Sequence, residues 1–259
     1  MTEPSYEDRY CAFVDILGFR DLIKSLDKGD LTFQRLRHLL QQVHDPFQGP
    51  EIPFGDSGLR AQSISDAVAL SVNPTPYGLQ HLFFVLSELS LGLLFEGYLI
   101  RGAIVRGPLY HDDKMVFGRA LVDAYLLENN VVRFPRIMVT RQVYLDATQG
   151  SLAKILTPYL RQDADGPYFL HVLRQMEVDI NRELQTNPDV DPAENEQLAY
   201  YTIAGGRLKS SLSASVDDPR IFEKLQWFAR YWNSMLPRNN PNFPPIRGPG
   251  LDSVGKLFL

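Results

Sequence analysis

Cysteine is almost absent: Cys11 stands alone among 259 residues, so no disulfide can form within the chain. Histidine is also sparse, and the five residues His38, His44, His81, His111 and His171 share no metal-ligand spacing, which argues against a zinc centre. Basic residues do not dominate. With 26 Lys and Arg against 31 Asp and Glu, the net charge of -5 speaks against a broad nucleic-acid or anionic-membrane surface, though a local basic pocket remains compatible. The N-terminus has neither a basic start nor an apolar signal segment. The longest apolar stretch, Leu82 to Leu94, is interrupted by Ser87, Glu88 and Ser90 and reads as too short and polar to cross a bilayer. No internal repeat is visible. These absences lead to the expectation of a cytoplasmic protein with a small-molecule partner and with neither nucleic acid nor membrane as a partner.

What is present is enough apolar material, 44% of residues, for a well-packed core. Residues 10–16 read as a strand closed by Gly18, with an amphipathic helix from Phe19 to Leu26. A second helical pattern runs through Phe33, Leu36, Leu39, Leu40 and Val43 to a Pro/Gly-rich loop over 45–58. Leu59 to Val72 alternates as a hairpin joined at Ser65-Asp66, Tyr77 to Phe95 is helical, and Tyr98 to Leu109 is a strand. The order is βααββαβ. Gly118 opens a helix through Leu127, Arg136 to Val139 forms a strand, and Arg141 begins a short helix. Beyond residue 150 come two short strands about the turn Asp163 to Gly166, then mainly helix from Val172 to Leu236, broken at Asn187 to Pro192. The Pro-, Asn- and Gly-rich tail from Pro237 wraps or stays mobile. The fold class expected is α+β, with a core over 1–150 and a mainly helical C-terminal extension over 151–259 packed on it. Trp227 and Trp232 should pack that extension down, Cys11 should be a buried small side chain, and Glu223, Lys224 and Arg230 read as a solvated face.

Two carboxylates carry the chemistry. Tyr10-Cys-Ala-Phe-Val-Asp15-Ile-Leu-Gly18-Phe19 and Gln62-Ser-Ile-Ser-Asp66-Ala-Val each place one carboxylate where an apolar strand meets a turn, so that two segments could share a divalent metal. Asp15-Ile-Leu-Gly18-Phe19 resembles the metal motif of the class III nucleotidyl cyclases, Asp-Ile-x-Gly-Phe, and Asp66 matches the second metal aspartate of that family. Arg101-Gly-Ala-Ile-Val-Arg-Gly107-Pro resembles its following strand, and Phe117-Gly118-Arg-Ala-Leu-Val-Asp-Ala124-Tyr-Leu-Leu-Glu128 its next helix. The resemblance implies a ferredoxin-type palm. It also implies two Mg²⁺ or Mn²⁺ ions held by Asp15, Asp66 and the carbonyl of Ile16, with the Gly18-Phe19 turn offering amides to a triphosphate. A head-to-tail homodimer with sites at the interface follows as well.

Two departures shape the expected activity. The base-reading positions hold Gln62 and Met115 instead of either purine pair, which makes the chain similar to the bacterial pyrimidine cyclases of Pycsar anti-phage signalling. That implies a uridylate cyclase making cyclic UMP from UTP for a separate effector, with a cytidylate cyclase making cyclic CMP from CTP as the alternative. The family's transition-state asparagine and arginine fall at Val122 and Leu126, which cannot donate to phosphate. Arg101, Arg106, Arg119 and Arg136 are candidate replacements, Arg119 being named as catalytic with Asp15 and Asp66. A regulatory module that has lost catalysis is the reading from another class.

Overall fold

The computed structural model describes residues 6–29, 32–34, 37, 38, 41, 56–64, 67–238 and 240–251, with Arg20 and Asp21 by backbone alone. Strand β1 (Glu7–Ile16) leads through Gly18 into α1 (Phe19–Asp27). Of the second expected helix, the described residues Phe33, Gln34, Arg37, His38 and Gln41 are helical. Then follow β2 (Arg60–Ile64), β3 (Ala67–Val72), α2 (Pro76–Phe95) and β4 (Ile100–His111), which is the βααββαβ order. The short strand β5 (Val116–Phe117) precedes α3 (Arg119–Val131), and β6 (Ile137–Val139) precedes α4 (Arg141–Gln149) and α5 (Ala153–Leu156). Strands β7 (Leu160–Gln162) and β8 (Tyr168–Leu170) complete the sheet, and α6 (Arg174–Thr186), α7 (Glu196–Ala214) and α8 (Pro219–Met235) follow. The chain is therefore α+β with a helical C-terminal region.

The sheet runs in the order β2-β3-β1-β4-β6-β8-β7, with β5 paired to β4. β1 lies antiparallel between β3 and β4, and among the described residues only the β4–β6 pair is parallel. Because successive strand side chains face opposite ways, β1 feeds two cores. Tyr10, Ala12, Val14 and Ile16 enter the large apolar cluster with α2 and the C-terminal helices, while Cys11 and Phe13 enter a smaller one with Ala120 and Ala124 of α3. Residues on both sides of position 150 share this one sheet and the large cluster. Cys11 is fully buried, and Trp227 and Trp232 are buried against the same core.

Two differences from the sequence reading have simple causes, and one open alternative is resolved. α3 runs about one turn past Leu127 to Val131 because Glu128, polar in sequence, is buried against the sheet. α2, expected to be too short and polar for a bilayer, is 20 residues long and apolar enough by length and composition to cross one, yet 67% of its most apolar window is buried inside the protein. Ser87 and Ser90 fit there because their hydroxyls donate to the carbonyls of Phe83 and Leu86, one turn back. The tail wraps: Asn233 exchanges hydrogen bonds with the backbone of Ile246, and Phe243, Ile246 and Leu251 are buried.

Two buried histidines titrate against the fold. Ser71 Oγ accepts from Arg9 Nε at 3.0 Å, which leaves its hydroxyl proton for His111 Nδ1 at 2.8 Å. Tyr231 Oη accepts from the Leu173 amide at 3.1 Å and lies 2.6 Å from His171 Nδ1, while His171 Nε2 faces Glu177 at 3.2 Å. Both networks suit a neutral imidazole that accepts at Nδ1 and keeps its proton on Nε2. Burial pushes each histidine down to about 4 from its ordinary value near 6.5. The unfolded chain therefore takes up protons that the folded chain refuses, and stability should fall as the pH drops from about 6.5 toward 4. Each histidine contributes a slope of up to about 1.4 kcal/mol per pH unit. Denaturant melts between pH 6.5 and 5, above the ordinary carboxylate range, should show this loss, and His111→Gln should reduce the slope by about one proton. A flat stability profile across that window would disprove the assignment.

Candidate functional site

A cleft of about 590 Å³ opens where β1 ends, bordered by Phe13, Asp15, the turn from Ile16 to Phe19, Ile64, Ala67, Arg101, Tyr125, Glu128, Asn129 and Lys224. The sheet register builds it. Asp15 pairs across with Arg101 of β4 and Ala67 of β3, and strand alternation puts it on the Phe13 side of the sheet, toward α3. There Ala120 and Ala124 let α3 approach closely. Glu128 is one helical turn further along the same face.

Arg101 links the carboxylates. Its Nε lies 2.7 Å from Glu128 Oε1, an Nη lies 3.5 Å from Asp15 Oδ2, and the other donates to the Val132 carbonyl at 3.3 Å. The Glu128 side chain is only 4% exposed, whereas those of Asp15 and Arg101, at 19% and 21%, keep a face toward the cleft. Gly18 stands at the start of α1 with φ 82°, a left-handed conformation that costs a residue with a Cβ, and no side chain caps that helix. The first turn of α1 thus borders the cleft with backbone N–H groups that a phosphate could use.

Lys224 was read from sequence as part of a solvated face; the structure corrects this. α8 brings it to the cleft, half-buried, where burial first and then the Arg101 guanidinium hold its ammonium below the ordinary lysine value, with Asp15 and Glu223 opposing. Its neighbour Glu223 pairs with Arg133 at 2.7 Å, and Arg230 donates to the Gly250 carbonyl. No local pattern distinguished Lys224, because its role depends on where a helix about two hundred residues after Asp15 packs.

The other expected site residues are dispersed within one chain. Asp66 lies outside the described residues; its described neighbours Ile64 and Ala67 pair with each other and both line the cleft. Gln62 is half-buried on β2 opposite Ala69. Met115, half exposed in the β4–β5 hairpin, donates its amide to Asp112. Arg119 begins α3, its side chain 78% exposed and 3.4 Å from Asp123, and it does not border the cleft. Ile16, Gly18 and Phe19 do. Two other arginines are spoken for elsewhere: Arg106 binds Asp8 and Asp146, and buried Arg136 binds Asp163 and Asp165. Arg101, by contrast, borders the cleft.

Among the described residues no group of three or more His, Cys, Asp or Glu is arranged to hold a metal. The cleft does offer the Asp15 carboxylate beside Ile16, a hard oxygen donor that suits Mg²⁺ or Mn²⁺ better than a thiophilic ion.

No protein family's sequence profile matches the chain, and no curated protein sequence matches it. Among solved structures it is similar to the monomeric guanylyl cyclase domain of the RhoGC fusion protein from the aquatic fungus Blastocladiella emersonii, at 14% identity over 64% of this chain and 95% of that one, with a TM-score of 0.42. It is also similar to the catalytic core of a rhodopsin-guanylyl cyclase with converted specificity, at 14% identity over 65% of this chain and 98% of the other, TM-score 0.41. A bacterial light-regulated adenylyl cyclase gives 14% identity over 66% and 54% of the two chains, TM-score 0.39. Likeness at this level carries no argument about what the cleft does.

Arg101 and buried Glu128 should be strongly coupled. Arg101→Met removes the cation beside a buried carboxylate and should cost about 3 kcal/mol, while adding Glu128→Gln to that variant should recover at least half of the loss. Urea denaturation of the two single variants and the double variant measures the coupling; additive losses would show that the pair does not act as a unit.

Proposed function

We propose that the chain is a nucleotidyl cyclase that converts UTP to 3′,5′-cyclic UMP and pyrophosphate, with CTP to cyclic CMP as the closest variant of the reaction. The observation that carries this reading is Asp15 at the end of β1, in a cleft whose other wall is the left-handed Gly18 turn opening α1. A carboxylate beside uncapped helix amides is an arrangement suited to a metal-bound polyphosphate. Asp15, the Ile16 carbonyl and Asp66 are the groups that would hold two Mg²⁺ or Mn²⁺ ions. Bound there, the ions would lower the pKa of the ribose 3′-hydroxyl and neutralise the triphosphate.

The chain's own residues position the nucleotide. The first turn of α1 takes the phosphates, and closing the ring forms a bond from the 3′-oxygen to the α-phosphorus. The bond from that phosphorus to the bridging oxygen breaks, its electron pair leaves with pyrophosphate, and the 3′-hydroxyl proton is released to solvent. Little covalent work falls to side chains, so placement and charge dominate. Gln62, which both donates and accepts, reads the pyrimidine edge, and Met115 fills the space beside it. Neither borders the Asp15 cleft of its own chain, so in this reading the base readers act on the site of a second copy. The exposed apolar side chains Val122, Tyr125 and Leu126 along α3 support a homodimer that covers them. The cyclic product then acts on a separate effector in anti-phage defence.

Val122 and Leu126 also favour the second reading, a nucleotide-binding regulatory module without turnover. Incubating the protein with Mn²⁺ and each of ATP, GTP, CTP and UTP, with products scored by mass, separates the two. Cyclic UMP or cyclic CMP is expected, and Asp15→Ala should lower its formation at least about a hundredfold. Nucleotide binding without product would favour the module, and full turnover by the Asp15 variant would reject the metal assignment. Gln62→Ala should shift the UTP to CTP ratio severalfold at unchanged Mn²⁺ dependence; an unaltered ratio would remove Gln62 as base reader.

A further inference from the structure

The cleft holds two carboxylates and two cations, but the cations are not equivalent. Arg101 spends its guanidinium on Glu128, Asp15 and the Val132 carbonyl. No carboxylate among the described residues forms an ion pair with Lys224, although this residue borders the same cleft. Its placement is held from both sides: Glu223 is fixed by Arg133 at 2.7 Å, and Trp227, one turn on, donates to Asp163 at 2.8 Å and stacks on Phe134 at 5.7 Å. Asp218 caps the start of α8 by accepting from the Arg220 and Ile221 amides. A lysine half-buried by a clamped helix beside another cation is an arrangement that gains by meeting an anion.

We propose that Lys224 is the polyphosphate-binding cation of this cleft, supplied by the C-terminal helix of the same chain in place of the donors that Val122 and Leu126 cannot provide. The inference rests on the cyclase reading for its substrate, a nucleoside triphosphate, and on the cleft alone for its anion. In the reaction the ammonium contacts phosphate oxygens and stabilises the negative charge that builds on the leaving pyrophosphate; it transfers no proton.

Two measurements test this without turnover. Calorimetric titration with inorganic tripolyphosphate in EDTA should show binding that Lys224→Met weakens about 10- to 100-fold, the loss of one charge-assisted contact. Lys224→Arg should stay within about threefold of wild type, and Lys209→Met, on α7 away from the cleft, should bind as wild type does. In the unmutated protein, where folding is not in question, tripolyphosphate should slow acetylation of Lys224 severalfold but not that of Lys209, as read by mass spectrometry. Equal affinity of the Lys224→Met variant and wild type, or equal acetylation with and without tripolyphosphate, would overturn the proposal. The two readings fail separately. Cyclic nucleotide produced at the wild-type rate by Lys224→Met removes the lysine and leaves the cyclase, whereas protection of Lys224 in a protein that cyclises no nucleotide keeps the anion site and removes the cyclase.

Discussion

Asp15 stands opposite Arg101 because β1 and β4 pair in one antiparallel register, from Glu7 with Leu109 to Ile16 with Ile100. A slip of one residue would turn every side chain of β1 to the other face of the sheet. Cys11 and Phe13 would then leave the small cluster under α3, and Tyr10, Ala12, Val14 and Ile16 would leave the large one. Both faces of β1 are buried along most of its length, so neither tolerates the exchange. The apolar residues that make β1 a central strand are thus also what carry one carboxylate out of the core at its end.

Removing Asp15 and Glu128 from bulk water costs energy that their mutual repulsion would increase. The Arg101 guanidinium, planar and with several donors, answers both carboxylates from one position. It leaves Asp15 the more accessible of the two, since the Glu128 side chain is nearly sealed. Glu128 therefore orients Arg101, and Arg101 in turn orients the carboxylate that faces the cleft. The two alanines that bring α3 close enough for this, Ala120 and Ala124, have no chemistry of their own.

Much of this was legible in sequence because it is local. The run from Tyr10 to Val14 is apolar on both alternating sets, as a central strand requires, and Gly18 punctuates the strand's end where the backbone turns left-handed. The hairpin from Arg60 to Val72, the helix after Thr75 and the break at Asn187 to Pro192 follow from equally short signals. What did not show was tertiary. Arg136 and Arg101 both sit near the edges of apolar strands and read alike, yet one is buried against Trp227 and ion-paired with buried Asp163 and exposed Asp165, while the other borders the cleft. Glu128 entered the sequence reading only as the end of a helix motif, and its ion pair with Arg101 depends on where that helix packs on the sheet. Lys224 sits in a charged patch typical of an exposed helix, and only the docking of α8 gives it a different environment.

That docking connects the C-terminal region to the cleft mechanically. Arg136 precedes β6, the strand parallel to β4, and its amide neighbourhood joins the sheet directly, since Gly102 donates to the Arg136 carbonyl at 3.0 Å. The guanidinium of Arg136 packs over the rings of Phe134 and Trp227 while Asp163 binds both Arg136 and the Trp227 indole. A displacement of α8 would therefore have to disturb buried ionic and aromatic contacts together, and these are worth most where water is excluded. Gly102 is the residue next to Arg101. The strand that holds the cleft's guanidinium and the helix that carries its lysine are in this way fixed to the same buried cluster, so the distance between the two cations is set by the core and not by the surface.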